Sequence, residues 1–121
     1  MNTDRELLEL AAKAVGLDTN HSWNASRLEM DPPVIAMVVY DAGNKLVSTG
    51  WNPLENDGDA LRLAVKLRLD IQFFDGHEQV MCEQGTGDDE RQSWEDYAED
   101  VGKATRRAII RAAAEIGRSM P

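Results

Sequence analysis

The sequence predicts an α+β fold, a three-layer α/β/α sandwich in which a mostly antiparallel sheet of four to five strands is covered by three helices. Three observations support this class. Apolar residues recur with helical spacing in three stretches, and two pairs of β-like runs lie between those stretches. The most apolar run, residues 34–40, is rich in β-branched side chains, which predicts a central strand buried on both faces with helices on either side.

The size and composition of the chain are those of one globular domain, which we place at residues 1–121. Its longest apolar run is far shorter than the roughly 20 residues of a membrane-spanning helix, so no membrane insertion is expected. The polar, acidic start of the chain is unlike a signal peptide, and the single cysteine, Cys82, permits no internal disulfide. Both features predict an intracellular protein.

The first helix is predicted over residues 4–15. Thr3 and Glu6 have the spacing of a capping box, and Gly16 supplies a left-handed stop. Residues 18–33 are polar and rich in turn formers, with Trp23 as their large apolar anchor and a short edge strand predicted around residues 26–30. Two prolines close this segment, because a residue before proline is disfavoured in helical conformation.

Two hairpins and a helix make up the middle of the chain. After the strand at residues 34–40, the turn formers 41–44 lead back into residues 45–49 as its partner. The second hairpin pairs residues 70–74 with 79–83 around Asp75 and Gly76, and residues 84–92 form an acidic loop. Between the hairpins we predict a second helix, with four apolar residues facing inward: Leu61, Ala64, Val65 and Leu67.

The last helix is predicted to be the longest. Residues 93–96 would cap it, and Gly102 would weaken its first two turns by about 1 kcal/mol relative to alanine. Its apolar stripe contains Tyr97, Val101, Ala104, Ala108, Ala112 and Ile116.

Charge restricts the classes of partner. The net charge of −9 repels phosphate backbones, so nucleic-acid binding is disfavoured. The charges are also segregated near the C-terminus, where residues 83–100 carry eight acidic side chains against Arg91 and residues 101–121 carry five basic side chains against Glu115. Basic or acidic protein partners are therefore both compatible with the sequence.

The first candidate site is the strand-to-helix junction at residues 50–67. Trp51 and Asn52 belong to this candidate ligand site, where Trp51 could stack a flat ring and free amides could bind an anion. The charges of Glu55, Asp57 and Asp59 would oppose an anion and favour a cationic group instead. The alternative is a structural corner in which Asn56 or Asp57 caps the second helix and Asp59 complements its dipole. The acidic cluster lacks the spacing of a calcium loop, so no metal site is expected.

The second candidate site is a basic stripe on the last helix. Its arginines could bind a phosphate-bearing small molecule or an acidic partner, since guanidinium groups suit phosphate. One alternative is that these cations complement the helix dipole and form pairs four residues apart. Another is that the acidic segment folds onto the stripe, or onto a second subunit. The stripe contains Lys103, Arg106, Arg107 and Arg111.

Catalytic signatures are weak in this chain. His21 and His77 are isolated, and Cys82 lies five residues after His77 on a predicted strand, so the two side chains would point to opposite faces. No phosphate-binding, dinucleotide or metalloprotease motif occurs. We therefore expect no catalytic residues, no metal, no cofactor and no enzymatic activity.

Several segments resemble the phage ABA sandwich domain, a family of small phage and prophage proteins. They are WNPL at 51–54, DGDALRLA at 57–64, ATRRAIIRAAAEI at 104–116 and ELLELAAKA at 6–14. The resemblance implies α/β/α layering and brings no established activity. It favours a non-enzymatic accessory module that binds a host or phage protein in the host cytoplasm and also forms homo-oligomers. The alternative is a protein that binds or sequesters a nucleotide-like small molecule.

Overall fold

The computed structural model describes residues 3–19, 22–40, 42–85 and 92–121; for residues 37–40 and 46–49 it describes the backbone. Over these ranges the chain forms four α-helices and two antiparallel sheets. The helices are α1 (Asp4–Ala14), α2 (Asn24–Arg27), α3 (Asp57–Leu67) and α4 (Val101–Ser119). The first sheet contains β1 (Ile35–Tyr40) and β2 (Leu46–Trp51), and the second contains β3 (Leu69–Phe74), β4 (Gln79–Gln84) and β5 (Ser93–Asp96), in that order.

The predicted α+β class and antiparallel pairing are confirmed. The prediction of a single sheet was wrong, because the strands of the described residues divide into sheets of two and three. Within residues 3–19, 22–40, 42–85 and 92–121, no helix is both long and apolar enough to span a membrane.

Helix α4 lies at the centre of the hydrophobic core. It contacts α1, α3 and all three strands of the second sheet. A helix that is apolar around most of its circumference is buried on several sides, which explains this position. Its buried residues are spread around the helix: Ala104, Ala108, Ile109, Ile110, Ala112, Ala113, Ala114 and Gly117.

Helices α1 and α4 run parallel and very close to one another. Arg107 meets Asp4 at the start of α1, and Lys13 Nζ donates to the Met120 carbonyl at the far end. Between these contacts Gly117 packs against the backbone of Leu10. A Cβ atom on Gly117 would lie 2.8 Å from the Leu10 carbonyl carbon and closer still to its oxygen. Only glycine permits this approach.

The local signals for α1 are confirmed. The Thr3 hydroxyl accepts a hydrogen bond from the Glu6 amide at 3.2 Å, and Gly16 follows the helix with φ of +77°. The apolar face predicted for the helix lies in the core, where Leu7, Leu8 and Ala11 are buried.

The edge strand predicted around residues 26–30 was wrong. This segment contains the end of α2 and a following turn. The side chain of Asn24, at the start of α2, is buried and hydrogen-bonds on both sides of the helix. Asn24 Nδ2 donates to the Thr19 carbonyl at 3.1 Å, and Asn24 Oδ1 accepts from the Ala36 amide at 2.7 Å. One side chain therefore attaches α2 to the start of β1.

The strand predicted at residues 34–40 is confirmed as β1, and its partner as β2. It is not the centre of a sheet, because β2 is the neighbour with which β1 pairs in the described part of the chain. Ile35 and Ala36 are both buried, so both sides of the strand are covered at its start. The side chains of residues 37–40 lie outside the described residues.

The predicted position of α3 is confirmed, but its predicted inward face was wrong in part. Leu61 is 62% exposed and Val65 is 53% exposed, whereas Ala64 and Leu67 are buried as predicted. The rotation of α3 is set by Asp59, which points inward and accepts a hydrogen bond from the Asn52 amide. Leu61 and Val65 follow Asp59 by roughly 200° and 240° of helical rotation, so they face solvent.

The second hairpin is confirmed as β3 and β4, joined by a short 3₁₀ turn at Asp75–His77. The prediction that residues 93–96 cap the last helix was wrong. They form β5, which pairs with β4, and α4 begins at Val101 with Asp100 as its cap. Gly102 therefore lies in the first turn rather than the interior. Most of the predicted loop at residues 84–92 lies outside the described residues, as does His21.

We expect Gly117→Ala to lower the free energy of unfolding by about 1–3 kcal/mol, since the methyl group would force the backbones of α1 and α4 apart. Urea unfolding followed by circular dichroism measures this loss. Gly76→Ala is the matched control, because a Cβ atom there meets nothing within 4 Å. Equal losses in the two variants would show that the close approach of the helices is unimportant.

Candidate functional site

The predicted junction is a hydrogen-bonded corner. Asn52 is buried, and its Nδ2 donates to the Pro33 carbonyl at 2.7 Å while its Oδ1 accepts from the Leu54 amide at 2.9 Å. The Asn52 amide donates to Asp59 Oδ2 at 3.0 Å. Both Asn52 and Asp59 are thus engaged by the chain itself, which favours the structural alternative.

The start of α3 is also occupied by protein groups. Asn56 is its cap and accepts from the Asp59 amide at 2.8 Å. Arg106 of α4 donates to the Leu54 carbonyl at 2.9 Å and to Asp57 Oδ1 at 2.7 Å. The two predicted sites therefore meet at Arg106, where a residue of the basic stripe fastens α4 to the junction.

The other arginines of the stripe bind the acidic segment. Arg107 lies 3.3 Å from Glu95 Oε1 and 3.3 Å from Asp4 Oδ1. Arg111 forms an ion pair with Glu95 and donates to the Trp94 carbonyl at 2.8 Å. The alternative in which the acidic segment folds onto the stripe is confirmed for Glu95. These guanidinium groups hold β5 and α1 against α4.

Lys103 takes no part in the contacts that Arg107 and Arg111 make with Glu95 and Asp4. Its amide takes part in the Asp100 cap at 3.0 Å, and its side chain lines a shallow depression that also includes Glu99 and Arg107. No ion pair joins Lys103 to another residue of the described ranges. Among the described residues, neither Lys103 nor Arg111 lines the groove that contains Trp51.

Trp51 lies in a different place, at the base of an apolar groove of about 260 Å³. Trp51 and Leu63 are buried there, and Val15 and Leu17 from the end of α1 form one wall. The groove is completed by Arg62 and Lys66 of α3. The groove is open to solvent and combines apolar walls with two cations.

The outward face of α3 continues this groove. Leu61 and Val65 are exposed one turn apart, and three basic side chains surround them. Arg62 pairs with Asp59 at 2.7 Å yet remains 70% exposed. Arg68 ends the helix in left-handed conformation, with φ of +55°. We call this the α3 surface: Leu61, Arg62, Val65, Lys66 and Arg68.

Sequence reasoning missed the α3 surface. Its signal was an apolar pair at four-residue spacing with basic residues directly after each member. That spacing is typical of a buried helix face as well as of an exposed one. The burial of Asp59, which could not be deduced from spacing, decides between the two.

The groups suited to covalent chemistry are poorly placed for it. Burial raises the pKa of the Cys82 thiol to about 12, and the nearby charges of Asp70 and Glu83 add to this effect. His77 lies in the exposed 3₁₀ turn, away from the buried Cys82. Across the described ranges, no three His, Cys, Asp or Glu side chains are grouped so that they could hold a metal ion.

Tyr97 connects the second hairpin to the start of α4. Its hydroxyl donates to Asp75 Oδ1 at 2.7 Å, and Ala98 beside it has left-handed φ of +52°. The hydrogen bond to Asp75, with smaller contributions from desolvation and from the Asp75 charge, raises the pKa of Tyr97 to about 12.

We expect Asp59→Ala to reduce the free energy of unfolding by about 1–3 kcal/mol, because it leaves the buried Asn52 amide without an acceptor. Glu55→Ala, an exposed acid of the same junction, should change it by less than about 0.5 kcal/mol. Chemical denaturation of both variants provides the comparison. Similar values would mean that the corner does not depend on Asp59.

The phenol of Tyr97 should titrate near pH 12 in the native protein and near 10 once the chain is unfolded. Since the folded-state pKa is raised, the stabilisation by this hydrogen bond is complete below pH about 10 and is lost as the pH rises through 12. The measurement is the absorbance of tyrosinate at about 295 nm, taken as the difference between the native chain and Tyr97→Phe. A difference spectrum that appears near pH 10 would contradict the bond.

Comparison of the chain with family models, with curated protein sequences and with solved structures finds no match. The resemblance to the phage ABA sandwich domain therefore stays a prediction.

Proposed function

We propose that the chain is a non-enzymatic protein-binding module whose binding site is the α3 surface together with the adjoining groove. The observation that carries this proposal is the exposure of Leu61 and Val65, at 62% and 53%, on the same side of one helix. Exposed apolar side chains that adjoin a groove and are rimmed by polar groups are typical of protein interfaces. A short helix or strand of a partner would fit the open groove.

The charge of the surface supports an acidic partner. The chain as a whole carries a charge of −9, yet the α3 surface presents Arg62, Lys66 and Arg68. In the part of the chain that the structure describes, Lys66 and Arg68 form no ion pair. Such a local reversal of sign favours carboxylates on the partner, which would speed association and select its orientation.

The chemistry of the remaining candidates supports a role without catalysis. The thiol of Cys82 is buried and its pKa is raised, so it is a poor nucleophile. Arg106, Arg107 and Arg111 are engaged in contacts between elements of the fold. These residues stabilise the module rather than act on a substrate.

The biological setting is part of the proposal. We infer a phage or prophage accessory protein that acts in the host cytoplasm on a host or phage protein, with homo-oligomers as a further form of association. The support is the resemblance of residues 51–64 and 104–116 to the phage ABA sandwich domain. The α/β/α layering of that family rests on the same resemblance.

The groove favours one alternative, a nucleotide-like small molecule. Its two cations, Arg62 and Lys66, could contact a phosphate while the apolar walls contact a base. Trp51 limits this alternative, because only 4% of its surface is exposed and a ring could not stack fully on it. A protein segment makes better use of Leu61 and Val65, which lie outside the groove.

The proposal is tested with a helical peptide that carries a leucine stripe flanked by glutamates, and with the same peptide carrying lysines instead. We expect the glutamate peptide alone to bind in calorimetry, and the double variant Leu61→Gln, Val65→Gln to weaken binding by about tenfold or more. Met30→Gln is the matched control, since Met30 is 55% exposed in the turn that follows α2.

Equal weakening in the Met30→Gln control, or binding of the lysine peptide alone, would contradict the proposed surface. If a mononucleotide raises the melting temperature of the chain and the glutamate peptide does not bind, the small-molecule alternative is correct and the protein-binding proposal is wrong.

A further inference from the structure

The three-stranded sheet has a second face, turned away from α4. Its inner face contributes Val80 and Cys82 to the hydrophobic core, and alternate residues along the strands point the other way. Met81, between these two, is only 3% exposed but does not belong to the core cluster. We call the side on which it lies the outer sheet face.

Two aromatic rings dominate the outer sheet face. Phe74 of β3 and Trp94 of β5 come from the strands on either side of β4, and their ring centroids are 5.2 Å apart. Trp94 is directly opposite the buried Met81 in the strand register. Trp94 itself remains 39% exposed, which leaves part of its indole accessible on this face.

The same face carries carboxylates that form no ion pair with a cation of residues 3–19, 22–40, 42–85 or 92–121. Asp70 of β3 and Glu83 of β4 are direct partners in the register, so two like charges stand opposite one another on one side of the sheet. Like charges in this position destabilise a strand pair. Glu83 is 7% exposed and accepts one hydrogen bond, from Gln92 Nε2 at 3.0 Å.

Asp96 adds a third carboxylate at the other edge. It accepts a hydrogen bond from Gln79 at 2.9 Å and is exposed. No arginine or lysine of the described ranges forms an ion pair with Asp70, Glu83 or Asp96. Arg107 and Arg111 of α4 lie on the opposite side of the sheet, where they bind Glu95.

We propose that the outer sheet face binds an extended segment of a protein partner that carries arginine or lysine side chains. A cation placed over the Trp94 indole would gain cation–π attraction. A second cation at the exposed Asp70 carboxylate would relieve its repulsion by the buried Glu83. This surface is separate from the α3 surface and opposite to it in charge, so the module has two binding surfaces of different specificity.

The test uses the whole chain and a blocked peptide of about nine residues that alternates arginine and leucine, which presents arginines on one side when extended. The first variant is Asp70→Asn, Asp96→Asn. Its matched control is Glu55→Gln, Glu99→Gln, which removes two exposed carboxylates elsewhere and changes the net charge equally. Asp70→Asn also removes a like-charge opposition, so the variant is expected to fold.

We expect the first variant to weaken binding of the arginine peptide by about tenfold or more and the control to weaken it by less than about twofold. Binding should also change tryptophan fluorescence in the native chain but not in Trp94→Phe. The variant Leu61→Gln, Val65→Gln should bind this peptide normally, which separates the outer sheet face from the α3 surface.

Absence of binding, or equal weakening in the two charge variants, would overturn the proposal, because attraction would then follow net charge alone. A fluorescence change that persists in Trp94→Phe would also overturn it. Concentration-dependent dimers in sedimentation velocity that disappear with Asp70→Asn, Asp96→Asn would assign the face to a second copy of the chain instead.

Discussion

The structure depends on the contact between the backbone of Leu10 and Gly117. Because no side chain separates them, α1 and α4 lie close enough for the small residues of α4 to be enclosed by α1, α3 and the three-stranded sheet. Packing of this density is sensitive to single methyl groups. The helix at the centre is therefore rich in alanine, and its larger polar side chains lie at the rim of the contact.

From that central helix the arginines reach outward to the other elements. Arg106 holds the junction before α3, Arg107 holds the start of α1, and Arg111 holds β5. Exposed ion pairs contribute only about 0–1 kcal/mol each, so the main effect of these contacts is to fix orientation. The cations of the α3 surface and the carboxylates of the outer sheet face take no part in these contacts.

The elements predicted from the sequence were those whose signals are local. Thr3 caps the start of α1, and Gly16 follows its end. The apolar run ending at Tyr40 forms a strand, as its composition indicates. The errors arose in segments whose conformation depends on contacts with residues distant in sequence. Residues 93–96 pair with β4 instead of capping α4. The segment predicted as an edge strand instead follows the short helix that begins at Asn24, whose side chain accepts a hydrogen bond from the distant Ala36 amide.

In the candidate site, too, local features could be predicted from the sequence and contacts between distant residues could not. The importance of the corner at Trp51 could be predicted, because a proline, a cap and a helix start are adjacent in sequence. The pairing of Arg106 with Asp57, 49 residues away, could not be predicted, and neither could the exposure of Leu61. Both depend on how α3 is rotated against α4, which a single helix does not encode.

A single residue, Arg68, connects α3 to β3. Its backbone is left-handed, and its side chain donates a hydrogen bond to the Val65 carbonyl at 2.7 Å, so the connection is short and fixed. Because the connection is a single residue, a displacement of α3 along its axis would also displace the start of the strand that holds Asp70 and Phe74. Any coupling between the two proposed surfaces through this connection would be equal in both directions, as thermodynamic linkage requires.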